Sequence, residues 1–124
     1  MEIIKNILAV GAGSFIGGAA RYLVSLAMKG IGKGFPWATL TVNLVGCLMI
    51  GLLWGLLSRN TAENTSWGLF LTVGLCGGFT TFSTFSKEAL TMLQGGHIYG
   101  FVTYILLSVL AGIVLVAIGY LLMK

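Results

Sequence analysis

The chain has 124 residues, 57% hydrophobic and only 8% charged, with a formal net charge of +4. Soluble domains carry about 25% charged residues, so this composition excludes an ordinary globular protein and fits a polytopic membrane protein. Four spans of about 20 residues with short loops use up nearly the whole length, which leaves no room for a separate soluble domain.

The N-terminal "MEIIKNILAVGAGSFIGGAA" imitates a signal peptide, with "GAA" resembling a cleavage site. The apolar pattern resumes at once in "RYLVSLAM", so a retained first span over residues 4–28 is expected. After the loop "KGIGKGF", Pro36 sits where a helix start tolerates proline, and a second span covers 37–57. "SRNTAENTS" is a polar loop, a third span covers 67–93, "QGGHIYG" turns the chain, and a fourth span covers 101–123. Trp37, Trp67, Tyr99 and Tyr120 lie near these ends, where interfacial aromatics belong. The third span is too long. About 27 residues of continuous helix measure about 40 Å against a hydrocarbon core of about 30 Å. Gly77 and Gly78, near its middle, predict an interruption there.

The seven basic residues, Lys5, Arg21, Lys29, Lys33, Arg59, Lys87 and Lys124, form no cluster. Nucleic-acid binding needs a basic patch, so no nucleic-acid partner is expected and most of these read as headgroup-level cations in a lipid bilayer. Lys5, Arg59 and Lys124 share one face, while Lys29 and Lys33 lie on the other, with Lys87 and Arg21 leaning that way. Insertion follows the asymmetry of such charges, and here there is almost none. Both orientations are then open to the chain, and so is an antiparallel dimer of the kind that inverted repeats build within single chains. Cys47 and Cys76 fall in apolar segments with no CxxC and read as small buried hydrophobes, without disulfide or zinc. His97 reads as a solvated loop residue. The pairs Gly13/Gly17 and Gly51/Gly55 have the spacing of close helix packing.

Intramembrane polar residues mark either a pathway or a packing contact. Arg21 is either a snorkelling side chain or part of a pathway. Asn43, in "TLTVNLVG" one turn after Thr39, is either a helix–helix hydrogen bond or a pathway group. Glu88 is a solvated helix end or the partner of a basic residue. The block "LCGGFTTFSTFSKE", residues 75–88, is more specific. A helix that breaks there ends in free carbonyls, oxygen ligands suited to a hard cation. It restarts with free N–H groups that form an electropositive end. Irregular backbone at membrane depth is tolerated only inside protein or along a cavity. Phe82 and Phe85, three residues apart, share one helix face, and phenyl edges are electropositive enough to accept a small anion. Thr80, Thr81, Ser83, Thr84 and Ser86 add hydroxyl donors.

On "GGFTTFSTFS" (77–86), "TLTVNLVG" (39–46) and the pair Arg21-Tyr22, the chain resembles the CrcB/Fluc family of fluoride channels over essentially its whole length. The resemblance implies an all-α, four-span, dual-topology homodimer in a bacterial inner or plasma membrane, with two fluoride-selective pores that protect the cell from fluoride. It also implies a structural sodium ion at the dimer centre, held by the backbone carbonyls of Gly77 and Thr80 of each protomer, and no organic cofactor. Phe82 and Phe85 match the family's pore phenylalanines, Asn43 its pore asparagine and Glu88 its vestibule glutamate, with Arg21 alongside. Thr39, Ser83, Thr84, Tyr104 and Ser108 are further pathway candidates. The chain departs from the pattern at Ala38, where glycine is common, and at Lys87, where a small or apolar residue is usual. It departs again at Gly112, where a serine is often found. The sequence carries no ATP site, nucleophile–base pair or metal-ligand cluster, so an enzyme is not expected. A proton-coupled exporter of the small multidrug type is the rival reading; it requires a membrane-embedded carboxylate, which the first span lacks. A third reading, a non-conducting assembly subunit, leaves the 77–86 block unexplained.

Overall fold

The computed structural model describes residues 1–31 and 34–124. The site expected for Lys33 therefore lies outside the described residues. Helix α1 is Glu2–Ala27 and α2 is Trp37–Arg59. The third span, Ser66–Gln94, is divided into α3 (66–79) and α4, Phe82–Gln94. The fourth is one helix, α5, Ile98–Met123. All four spans are long and apolar enough to cross a membrane.

The third span is broken, but not at the glycines. Gly77 is helical, with φ −62° and ψ −37°, and the helix continues through Phe79. The chain leaves the helix at Thr80 (φ −86°, ψ 163°) and Thr81 (φ −152°, ψ 122°), both extended. The expected interruption at Gly77–Gly78 is thus corrected by three residues. The reason is chemical. Two β-branched threonines accept extended backbone readily, and side-chain partners replace the helical bonds they forgo. Gly78 serves contact rather than freedom, because a Cβ there would lie 2.8 Å from Ser14 Cα on α1.

Glycine sets the packing of both helix pairs. On α1, Gly13 and Gly17 are buried against the α3 backbone; a Cβ on Gly17 would come 2.8 Å from the Phe79 nitrogen. Gly74 answers from the other side, where a Cβ would meet Gly13 Cα at 3.0 Å. The α2–α5 pair repeats the device through Gly51, Gly55 and Gly119. A Cβ on Gly119 would lie 2.6 Å from the Leu52 nitrogen and 2.7 Å from the Leu48 oxygen. Such backbone-to-backbone approach gains dispersion contacts that lipid tails cannot match.

Two helices carry a wider, π-helical turn: Phe70–Cys76 in α3 and Leu107–Ala111 in α5. Both turns contribute to the wall of one cleft, described below. The side-chain core is small and sits beside the break, where Tyr104, fully buried, packs with Leu40, Ala89 and Met92. Much of the outer surface is apolar, with Leu8, Phe15, Leu110 and Leu121 all exposed on a single protomer. The α4–α5 turn closes with Gly96 at φ +82°, a left-handed position that suits glycine. There the His97 N–H caps the Met92 carbonyl at 2.9 Å, while the His97 side chain is exposed.

Candidate ion pathway

The break is held by hydrogen bonds that replace the helix's own. The Thr81 N–H donates to Asn43 Oδ1 at 2.8 Å, and Asn43 Nδ2 donates to the Thr81 carbonyl at 3.0 Å. One α2 side chain thus engages both backbone groups of Thr81. The Thr84 N–H donates to Thr81 Oγ1 at 3.3 Å, so Thr81 is the N-cap of α4. From α1, Arg21 Nε donates to the Gly78 carbonyl at 3.4 Å. Thr80 is fixed by its own N–H and Oγ1, both donating to the Cys76 carbonyl at 3.1 Å. Its methyl lies where a Cβ on Gly46 would sit, so Gly46 leaves room for Thr80.

These bonds divert two donors. In an unbroken helix the Thr81 N–H would serve the Gly77 carbonyl, and the Thr84 N–H would serve the Thr80 carbonyl. Both carbonyls are left without their helical partners.

Beside the break lies a cleft of about 390 Å³ lined by Asn43, Phe82, Phe85 and Ser108, with Gly77 and Thr80 in the same wall. The Phe82 and Phe85 rings lie 5.8 Å apart at 42°. Phe82 is 78% exposed on the single chain, an unusual setting for a phenyl ring at a polar break. Ser108 Oγ, on the π-helical turn of α5, is buried and has no hydrogen-bond partner among the described residues. An asparagine amide carries two N–H donors, and only one of Asn43's is committed to Thr81. The walls are mostly apolar, so an ion there is stripped of much of its water and meets few compensating groups.

On the other side of Thr81 is a smaller cavity of about 110 Å³, lined by Arg21, Thr39, Thr84 and Glu88 together with Ala38 and Thr81. Thr81 lines both spaces, so the break is their common wall. Glu88 Oε1 accepts the Tyr104 hydroxyl at 3.0 Å. The Tyr104 ring in turn packs 4.9 Å from Phe85 and 5.5 Å, edge-on, from Phe35.

The structure therefore gathers the sequence candidates into two groups. Asn43, Phe82, Phe85 and Ser108 meet in the larger cleft; Arg21, Thr39, Thr84 and Glu88 meet in the smaller cavity. Tyr104 lines neither but joins them, bonded to Glu88 and packed on Phe85. Ser83 is exposed and lines neither. Sequence reasoning counted Thr81 only as one hydroxyl among five; a threonine opening an amphipathic run carries the N-cap signal that identifies it. Phe35 was missed because loop aromatics give no periodic signal. Cys47 and Cys76, both free, are also part of the cleft wall.

Residues 8–120 match the model of the family described as CrcB-like protein, Camphor Resistance (CrcB). The chain belongs to this family. A Chlorobium phaeobacteroides (strain BS1) protein named fluoride-specific ion channel FluC is 42% identical over 123 residues, covering 99% of this chain and 96% of that protein. A protein of the same name from Ruminiclostridium cellulolyticum is 45% identical over 119 residues, covering 93% of this chain and 92% of its own length. Another from Phocaeicola vulgatus is 44% identical over 117 residues, 94% of this chain and 96% of the relative. With four spanning helices in such a family, the chain is a multi-pass membrane protein and not an enzyme.

Proposed function

We propose that the chain is a passive, fluoride-selective channel that lets fluoride leave the cell. The observation that carries this reading is the meeting of Phe82, Phe85 and the free Asn43 amide proton beside a mid-membrane break. A phenyl ring is electropositive at its edge, so paired rings give a small anion a site that large, soft molecules gain little from. Asn43 and Ser108 add neutral donors, which hold an anion without trapping it as a fixed cation would. Arg21, in the smaller cavity, raises the local anion concentration at the approach. In acidic surroundings fluoride forms the neutral weak acid, which crosses the membrane and dissociates in the less acidic interior, so a conductive exit driven by its own gradient and the membrane potential suffices.

In this reading the working unit is an antiparallel homodimer with two pores, and a sodium ion sits at its centre. The carbonyls of Gly77 and Thr80 fit a hard cation, because both have lost their helical donors and Gly77 lies exposed on the single protomer. When bound, the ion supplies positive charge that offsets converging carbonyl dipoles and favours anions nearby. Glu88 speaks against the rival exporter. It accepts the Tyr104 hydroxyl beside a 110 Å³ cavity, too small for an organic cation and a proton to exchange in turn.

The test is fluoride efflux from proteoliposomes loaded with potassium fluoride. Rapid efflux on adding a potassium ionophore, with potassium chloride retained in a parallel preparation, supports the channel. Efflux that needs a proton gradient, or equal loss of chloride, refutes it.

A further inference from the structure

We infer that Asn43 and Thr81 are positioning residues for the cation site, each holding the backbone N–H that would otherwise close the helix onto a ligand carbonyl. The inference rests on the sodium reading above. The two diversions are separate bonds from separate side chains. Asn43 Oδ1 takes the Thr81 N–H at 2.8 Å, which keeps it off the Gly77 carbonyl. Thr81 Oγ1 takes the Thr84 N–H at 3.3 Å, which keeps it off the Thr80 carbonyl.

The competition is local and direct. Inside a membrane a backbone N–H without an acceptor is costly, so a Thr81 N–H deprived of Asn43 falls back on the nearest one. That acceptor is the Gly77 carbonyl of the preceding turn. The same holds for the Thr84 N–H and the Thr80 carbonyl when the Thr81 hydroxyl is removed. In each case the helix heals by one bond and a cation ligand is consumed. Asn43 has the larger hold, since its Nδ2 also ties the Thr81 carbonyl at 3.0 Å and so fixes both backbone groups in the extended conformation. Thr81 offers one longer bond and is the weaker of the two.

Asn43 therefore has two duties on one amide. Its Oδ1 and one N–H shape the break, and the residue also lines the cleft with its second N–H uncommitted to Thr81. Fluoride flux alone cannot separate these duties; sodium binding can.

The experiment uses the purified full-length dimer in detergent, exchanged into sodium-free N-methylglucamine buffer and titrated with sodium chloride. Melting temperature is read from intrinsic tryptophan fluorescence, because a ligand at free concentration L that binds only the folded state stabilises it by RT ln(1 + L/Kd). The wild type is expected to melt higher as sodium is added. Thr81→Val, which keeps the shape and removes the hydroxyl, should raise the sodium concentration needed for a given shift about fivefold. Thr81→Ser should return it to the wild-type value, which a role in packing alone would not do. Asn43→Leu should lose the sodium-dependent shift; where that variant does not fold, the Thr81 pair decides. Wild-type sodium dependence of melting in Thr81→Val and Asn43→Leu would overturn the inference. A wild type whose melting ignores sodium would overturn the cation site and this inference together, while leaving fluoride conduction, measured by efflux, to stand on its own.

Discussion

The α2–α5 seam and the break between α3 and α4 adjoin the same cleft, yet they are built in opposite ways. Along the seam, Gly51, Gly55 and Gly119 bring two backbones into direct contact. At the break the backbone parts, and five side-chain hydrogen bonds from Arg21, Asn43, Thr80 and Thr81 do what the helix no longer does. The contrast teaches where rigidity is needed. A carbonyl left open in a membrane interior survives only if its surroundings cannot relax to cover it. The stiff seams supply that restraint, and the break supplies the chemistry.

Substitutions should separate the two regions by what they damage. The largest effect is expected in the seam. Gly119→Val places its Cβ within 2.6–2.7 Å of α2 backbone atoms, which cannot step aside as a side chain can. A loss above about 3 kcal/mol is expected, seen as failure to recover monodisperse protein by size exclusion. Recovery at wild-type yield would show the seam to be softer than described.

At the break the fold should persist and transport should fall. Asn43→Asp keeps the acceptor for the Thr81 N–H but sets a carboxylate against the Thr81 carbonyl, now 3.0 Å from an amide donor. It also turns a negative charge toward the anion. Efflux should drop on the order of a hundredfold, the equivalent of one unsatisfied buried group. Asn43→Ser, neutral but shorter, should lose less. Equal flux in the two variants would reduce Asn43 to a packing residue.

A smaller effect is expected where the two cavities are joined. Tyr104→Phe keeps the buried ring against Phe85 and removes the hydroxyl that donates to Glu88 and also meets Thr39. A loss of about 1–2 kcal/mol should lower the melting temperature by several degrees, with fluoride efflux reduced less than in Asn43→Asp. An unchanged melting temperature would mean that the Glu88 bond contributes nothing to the fold. The smallest effect belongs to Ser83→Ala. That side chain is exposed and lines neither cavity, so stability should stay within about 0.5 kcal/mol and efflux within about twofold. A large loss of efflux would return Ser83 to the pathway.

The architecture was legible in the sequence because hydropathy and length decide it. Four apolar stretches could only be spanning helices, and the overlong third had to be interrupted. The exact place of the break was not legible. Doubled glycine looks like a hinge, but Gly78 is there to let α3 touch Ser14 on α1. The break falls at Thr80–Thr81 because Asn43, 38 residues earlier in the chain, reaches the Thr81 backbone. No local rule encodes such a bond. Phe82 and Phe85 could be picked out from their spacing, whereas the sorting of Thr39 and Thr84 from Ser108 into separate cavities depends on how α2, α4 and α5 are rotated against one another. The apolar asymmetry of α2 is too weak to specify its rotation against the other two.

The central claim is that the ring pair beside the break lines the fluoride path, and one measurement tests it most directly. Ionophore-triggered fluoride efflux is compared for the wild type, Phe82→Ile and Phe85→Ile, each reconstituted from protein with the wild-type elution volume. Isoleucine keeps apolar bulk and removes the electropositive ring edge. Either substitution should lower efflux at least about tenfold, the loss of roughly one 1.4 kcal/mol contact with the anion. Wild-type efflux with both positions changed would contradict the claim.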